Sequence, residues 1–291
     1  MRKLMTKKAL MTKICIPSII FVVLLIWTIW GDTALTVSTI KISSNHIPDS
    51  FSGFRIAQIS DLQNAQFGKN NIKLLELLSE NEPDIIVITG DLVDAGHTNI
   101  KVAIDFVKEA VSIAPVYYIT GNHEASLSQY DEIKTGLEMI GVIVLEDKAI
   151  QLEQDNETIT LIGLSDPNYT VKGDMYGEVP AMVRTKLNNL ADTESSYIIL
   201  LSHRPELFES YVSCNIDLVL SGHAHGGQFR LPFIGGLIAP DQGIFPKYDA
   251  GLFTNGSTNM IVSRGLGNSI IPIRFNNRPE VIVIELLNTD L

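Results

Sequence analysis

Cysteine is nearly absent from this 291-residue chain: Cys15 lies in an apolar N-terminal segment and Cys214 far away in the remainder. Two such residues exclude a disulfide framework and a Cys-rich zinc site. One cysteine beyond the N-terminal segment is consistent with a compartment where disulfides are not used. Acids are missing from the first 30 residues, and bases are scarce after them. Arg2, Lys3, Lys7, Lys8 and Lys13 are five of the 22 basic residues, so the rest of the chain sets 17 bases against 33 acids, a formal charge of −16. Nucleic-acid phosphates require a basic surface, so nucleic-acid binding and a nuclease activity are not expected. The acidity is read as a solubility feature. No repeat of fixed period and no low-complexity tract occurs.

What is present begins with one long uncharged run, Ile14 to Trp30, rich in Ile, Val, Leu and Trp. Seventeen residues is the lower limit for a membrane-spanning helix. Pro17 is tolerable in a first helical turn, and Trp27 and Trp30 suit an interfacial aromatic belt. The basic flank is expected in the cytoplasm, which makes the protein single-pass in the cell membrane with its main domain on the extracytoplasmic side. A cleaved signal peptide is the rival, but the run is long for one and no A-x-A site follows. The expected division is therefore a basic flank and anchor over 1–31, a linker or initial edge strand over 32–50, and one domain over 51–291.

From Phe54 onward strands and helices alternate. FRIAQIS, DIIVITG and VYYITG read as strands, and helical stretches are expected at Asn70–Glu82, Ile100–Ser112 and Gln129–Ile140. This alternation predicts βαβ units around a largely parallel sheet. In the second half, residues 142–166 carry a polar turn at Asp155-Asn156 and predict an antiparallel hairpin. SYIILLSH, IDLVLSGH, NMIVSRGLG and VIVIEL are further strands, with a helix from about Val179 to Leu190. Two β-rich halves meeting face to face, helices outside, fit the pattern. Residues 226–253 form a long Gly/Pro/aromatic tract without clear periodicity; it is too apolar for disorder, and its position after a histidine pair predicts that it borders a pocket.

Eight polar residues fall into five short clusters, each directly after a hydrophobic run: Asp61 with Gln63, Asp91, Asn122 with His123, His203, and His223 with His225. A β-run that stops at Gly or Ser and then delivers Asp, Asn or His puts that side chain at the carboxyl end of a strand, the edge where open α/β sheets bind ligands. Singly each element is weak, since Asp after a Gly turn is common. The order D-x-Q, GD, GNHE, H-x-P, GHxH carries the specificity. Carboxylates supply negative charge for hard divalent cations and can bridge two of them; neutral imidazoles and an amide oxygen complete the shells without excess charge.

With these motifs the sequence resembles the calcineurin-like metallophosphoesterases, over roughly Phe54 to Leu286. More narrowly it is similar to their membrane-associated bacterial branch, in which GHxHGGQ is followed by a PKYDAGL and SRGLGNS tract. The resemblance implies an α/β fold, a four-layer αββα sandwich, with a binuclear metal site. Carried over, Asp61 and His225 resemble ligands of the first ion, Asp91 the bridging carboxylate, and Asn122, His203 and His223 ligands of the second. His123 resembles the catalytic histidine that assists the leaving group and contacts phosphate together with Asn122. Gln63 departs from the family's D-x-H; an amide oxygen binds metal more weakly than imidazole, which favours manganese, or magnesium, over zinc or iron at the first ion.

The implied activity is hydrolysis of phosphate monoesters or diesters by in-line attack of a metal-bound hydroxide on phosphorus. The substrate is expected to be a phosphorylated small molecule or, given the anchor and the apolar tract, a lipid-linked or envelope phosphate. The alternative is a weakly active or non-catalytic anchored metal- or phosphate-binding protein, degenerate at Gln63. Arg230, just after the histidine pair, is the candidate for substrate phosphate. His46 and His97 are expected at the surface, and Asp94, Asp166 and Arg264 as turn or surface charges.

Overall fold

A computed structural model describes residues 2–169, 177–191, 197–268 and 271–290. In chain order the helices are α1 (Arg2–Thr33), α2 (Ile72–Glu80), α3 (Ile100–Ala110), α4 (Asn122–Ala125), α5 (Tyr130–Met139), α6 (Glu178–Leu190) and α7 (Phe208–Ser213). The strands are β1 (Thr36–Ser44), β2 (Arg55–Ile59), β3 (Ile85–Thr89), β4 (Val116–Ile119), β5 (Ile143–Val144), β6 (Lys148–Gln154), β7 (Glu157–Gly163), β8 (Ile198–Leu201) and β9 (Leu218–Ser221). They continue with β10 (Arg230–Leu231), β11 (Gly235–Gly236), β12 (Ile238–Ala239), β13 (Gly243–Ile244), β14 (Gly251–Asn255), β15 (Thr258–Val262) and β16 (Glu280–Asn288).

Two six-stranded sheets carry the fold, in the orders β1-β16-β2-β3-β4-β5 and β14-β15-β9-β8-β7-β6. In the first, β2 through β5 are parallel and β16 runs against β2. In the second, β7, β8, β9 and β15 are parallel, closed at each edge by an antiparallel hairpin. Asp155 and Asn156, both left-handed, turn the β6–β7 hairpin at the place their sequence predicts.

The apolar runs read as continuous because these strands are buried on both faces. In β3, Ile85 and Val87 point between the sheets, while Ile86 and Ile88 point at helices α2, α3 and α5. Helix α3 returns one stripe, Ala103, Phe106, Val107 and Ala110, and its start is capped by the Asn99 side chain. On the far side Val179, Val183 and Leu187 of α6, with Phe208 and Tyr211 of α7, cover the second sheet. The layers are helix, sheet, sheet, helix. Buried Gln58 pins the sheets together at one end, donating to Thr89 Oγ1 at 3.1 Å and to the Ser221 carbonyl at 2.9 Å.

Thr36–Ser44, inside the tract expected as a linker or initial edge strand, form β1 and pair in parallel with β16 over their whole length. Residues 226–253 are not irregular either, since two short antiparallel hairpins, β10–β11 and β12–β13, are built there. Within α1, Cys15–Thr33 is long and apolar enough to cross a membrane, with a mean hydropathy of 1.9. The helix starts at Arg2, so Pro17 is internal rather than in a first turn. Its ring removes one backbone hydrogen bond there, the expected place for a kink.

Candidate metal centre

The carboxyl ends of β2, β3, β4, β8 and β9 point to one edge of the sandwich, and every cluster is delivered there. Backbone hydrogen bonds knit the delivering loops together. Asp61 N–H donates to the Gly90 carbonyl, Gln63 N–H to the Asp91 carbonyl, and Gly222 N–H to the His203 carbonyl. The packing is so close that a Cβ on Gly121 would lie 2.2 Å from Asp91 Oδ1, and one on Gly222 1.8 Å from Ser60 Oγ. This is why Gly precedes the functional residue in GNH and GHAH. Asp61, Gln63, Asp91, His223 and His225 all hold left-handed backbone. Such conformations in non-glycine residues cost roughly 1–3 kcal/mol each and gather at functional sites.

Side chains from both sheets converge. His203 Nε2 lies 3.2 Å from Asp91 Oδ2, 3.2 Å from Asn122 Oδ1 and 4.0 Å from Asp61 Oδ1. His225 Nε2 lies 3.4 Å from Asp61 Oδ1 and 3.2 Å from Gln63 Nε2, and Gln63 Nε2 also reaches Asp91 Oδ2 at 3.4 Å. Ligand atoms of Asp91, His203 and His223 fall within 4.8 Å of one another, as do those of Asp61, Asp91 and His225. Asp91 belongs to both groups. Gln63 Oε1 is buried without a hydrogen-bond partner, an orphaned oxygen beside the second group. Buried carboxylates, imidazoles and an unsatisfied amide oxygen are a donor set that fits divalent cations.

Hydrogen bonds behind the cage orient the imidazoles. His203 Nδ1 donates to the Thr89 carbonyl at 2.7 Å, which leaves Nε2 as the nitrogen that faces Asp91 and Asn122. His223 Nε2 is occupied by the Arg204–Asp241 ion pair, 3.1 Å from Arg204 Nη1 and 3.0 Å from Asp241 Oδ2, so Nδ1 is the nitrogen left to bind an ion. His123 Nδ1 accepts the Ala95 N–H at 2.9 Å, putting its proton on Nε2, 3.8 Å from Asp91 Oδ2. His123 and Asn122 are the half-buried members of the set, at the mouth.

The electrostatics are those of a concentrated negative charge. Burial alone would raise Asp91, but His203 and His123 beside it hold its carboxyl far below the ordinary range. Burial would lower His203, yet the carboxylates of Asp91, Asp61 and Asp166 lift it to about 10. His225, buried and near the Arg274 guanidinium, is pushed down to about 4 despite Asp61.

Four residues the motifs did not single out, Glu124, Arg204, Asp166 and Asp241, support the cage. Glu124 is fully buried, and its carboxylate accepts the N–H groups of Gly121, Asp91 and Val93, joining two of the delivering loops. Burial and the Asp91 charge raise it to about 7. Arg204 is buried and grips Asp166 with two hydrogen bonds, Nε to Oδ2 at 2.6 Å and Nη2 to Oδ1 at 3.1 Å. It also donates to Asp241, the carboxylate that holds His223. Asp166, expected as a turn or surface charge, is thus a buried partner of Arg204; the sequence separation of 38 residues hid the pair. Arg230 is not brought into the cage: it bonds the Gly226 carbonyl at 2.8 Å and Asp249 at 2.9 Å. His46 and His97 are exposed, and Asp94 accepts from Gly96 and His97 N–H groups in a turn.

Residues 54–227 match the family model of the calcineurin-like phosphoesterases. The chain belongs to that family. This metallophosphoesterase is 34% identical over 260 residues to the uncharacterized metallophosphoesterase YkuE of Bacillus subtilis, covering 88% of this chain and 86% of the relative. It is 28% identical to the phosphodiesterase YaeI of Escherichia coli over 82% of this chain and 84% of that one. A transmembrane protein with metallophosphoesterase domain from Danio rerio is 27% identical over 86% of this chain, which spans 57% of its length. Among solved structures, TT1561 of Thermus thermophilus shares the fold, with a TM-score of 0.50 and 13% identity over 74% of this chain and 91% of the other. The chain is accordingly a phosphoric ester hydrolase with clustered metal-ligand side chains.

Proposed function

We propose that this metallophosphoesterase holds two divalent cations and cleaves phosphodiesters at the extracytoplasmic face of a membrane. Asp61, Gln63, Asp91 and His225 would hold one ion; Asp91, Asn122, His203 and His223 the other. The observation that carries the reading is Asp91, the single carboxylate common to both ligand groups. A cation pair of this kind supplies Lewis-acid charge and an activated water. The chain's own residues do the rest. Asn122 orients phosphate at the mouth, and its carbonyl faces His203. His123, its proton placed on Nε2 by the Ala95 N–H, would donate a hydrogen bond from Nε2 to the leaving oxygen and stabilise its charge as the P–O bond breaks. Gln63 presents its amide at the position of the family's histidine; its oxygen, a weaker donor, favours manganese there.

The basic residues that precede the apolar run support the extracytoplasmic placement of residues 51–291, with residues 1–31 as anchor. The exposed apolar surface beside the site supports a lipid-linked phosphate as substrate. Arg230 reaches a phosphate only by leaving Asp249. The test measures metal content and manganese-dependent turnover of an aryl phosphodiester by the full-length protein and its Asp91→Asn variant. The reading requires two ions per chain and turnover in the parent, both lost in the variant. Full metal loading without turnover would instead support a binding protein.

A further inference from the structure

The tract after the histidine pair displays its largest apolar side chains to solvent. Phe233 is 108% exposed, Ile244 72%, Phe245 64% and Ile234 60%, with Leu231 and Ile273 also open. They sit on or beside the β10–β11 and β12–β13 hairpins, whose backbone is held by its own ladders. Phe233 and Phe245 both hold left-handed backbone, at φ 67° and 56°. A bulky aromatic in that region is a steric outlier, and neither ring is buried against the domain in return.

These hairpins are tied to the end of α1. Arg230 N–H donates to the Phe275 carbonyl at 2.9 Å, and Gln228 donates to the Ile273 carbonyl at 2.6 Å. The next residue, Arg274, donates its N–H to Asp32 of α1 at 2.6 Å, and Arg278 donates to the Ala34 carbonyl at 2.8 Å while stacking over Trp30. Trp27 and Trp30 form the aromatic end of the apolar helix, where an interfacial belt belongs. The hairpins are thus held, by hydrogen bonds through residues 273–278, to the end of α1 at the level where that helix would leave a bilayer.

We infer that the Phe233 and Phe245 hairpins are a second membrane contact, inserting into the headgroup–acyl boundary beside α1. Phospholipid is the occupant this surface fits. The contact brings the metal centre to the membrane, because the β12–β13 turn also carries Asp241, the partner of His223. A helix that merely tethers would leave the catalytic mouth free to face away; the hairpins give it a fixed aspect toward lipid. This inference does not depend on turnover.

The test uses the full chain with Cys15→Ser, reconstituted into phosphatidylethanolamine–phosphatidylglycerol vesicles. A fluorophore is attached at Phe233→Cys, at Phe245→Cys, or at Met139→Cys, an exposed control on α5. Nitroxide lipids labelled high on the acyl chain are the quenchers, because interfacial apolar groups lie roughly 5–10 Å into that boundary. Loss of fluorescence at 233 and 245, with none at 139, is the expected result. Equal quenching at all three positions would overturn the proposal. So would lipid-independent disulfide crosslinking between two chains at 233 and 245 without quenching, which would make the surface a contact between copies.

Discussion

Gln63 and His123 are the residues whose chemistry is most open to direct test. Gln63 Nε2 stands 3.2 Å from His225 Nε2 and 3.4 Å from Asp91 Oδ2, so its amide lies among the proposed ligands despite the departure from D-x-H. Gln63→His is expected to raise occupancy of the first ion at limiting metal and to shift preference toward zinc. Titration calorimetry with manganese and zinc reads this; unchanged affinities would remove the position from the ligand set. For His123→Ala, the loss in kcat should depend on the leaving group. A poor alkoxide leaving group, whose developing charge that Nε2–H would stabilise, should lose roughly 10²–10³-fold, the ordinary worth of one positioned donor. A p-nitrophenolate, which departs without a proton, should lose far less.

The loops that connect strand to ligand are held by two devices, glycine at their crossings and buried charge behind them. Gly222→Ala would force a methyl to within 1.8 Å of Ser60 Oγ and 2.5 Å of Asp61 Oδ2. Overpacking of this kind costs about 1–3 kcal/mol, and here one displaced group is the proposed ligand Asp61, so the variant should lose metal as well as stability. Denaturant unfolding and metal analysis check both. Arg204→Met leaves the Asp166 carboxylate buried without its bidentate partner, an expected loss of about 3–5 kcal/mol. The double variant Arg204→Met, Asp166→Leu should recover most of it, since removing both charges removes the penalty. If the single variant unfolds like the parent, the pair is not a structural clamp.

Across the molecule, ion binding and folding are linked, because ligands come from both sheets. A cation that binds only the folded chain stabilises it by about 2.7 kcal/mol at a hundredfold excess over its Kd. For a chain of this size that raises the melting midpoint by roughly 5–10 °C. Manganese should produce such a rise, EDTA should reverse it, and Asp91→Asn should abolish it. A midpoint indifferent to manganese in the parent protein would mean that the cage does not bind the ion in the folded state.

Most of the strand plan was legible because parallel strands buried on both faces read as apolar runs, and their Gly and Ser stops mark the loops. The helices followed from single stripes such as Ala103, Phe106 and Val107. The hairpins at 230–245 escaped because two-residue ladders leave no periodicity. Strand β1 remained ambiguous because an edge strand is half exposed and reads as polar. Of the centre, the clustering of the ligand candidates was legible, since each of the five clusters follows a strand, whereas Arg230, offered for phosphate, is held by Asp249.

Local pattern alone determined the strand–helix alternation, the apolar helix and the eight polar residues, because periodicity and strand-end chemistry are encoded within a few neighbours; the four-layer αββα sandwich followed from the family resemblance. Folding was needed to bring Glu124 under two loops, to join Arg204 to Asp166 and Asp241 across 38 and 37 residues, and to orient the imidazoles. Those interactions exist only where backbones distant in the chain pack within hydrogen-bond reach, and no short stretch of residues carries that information.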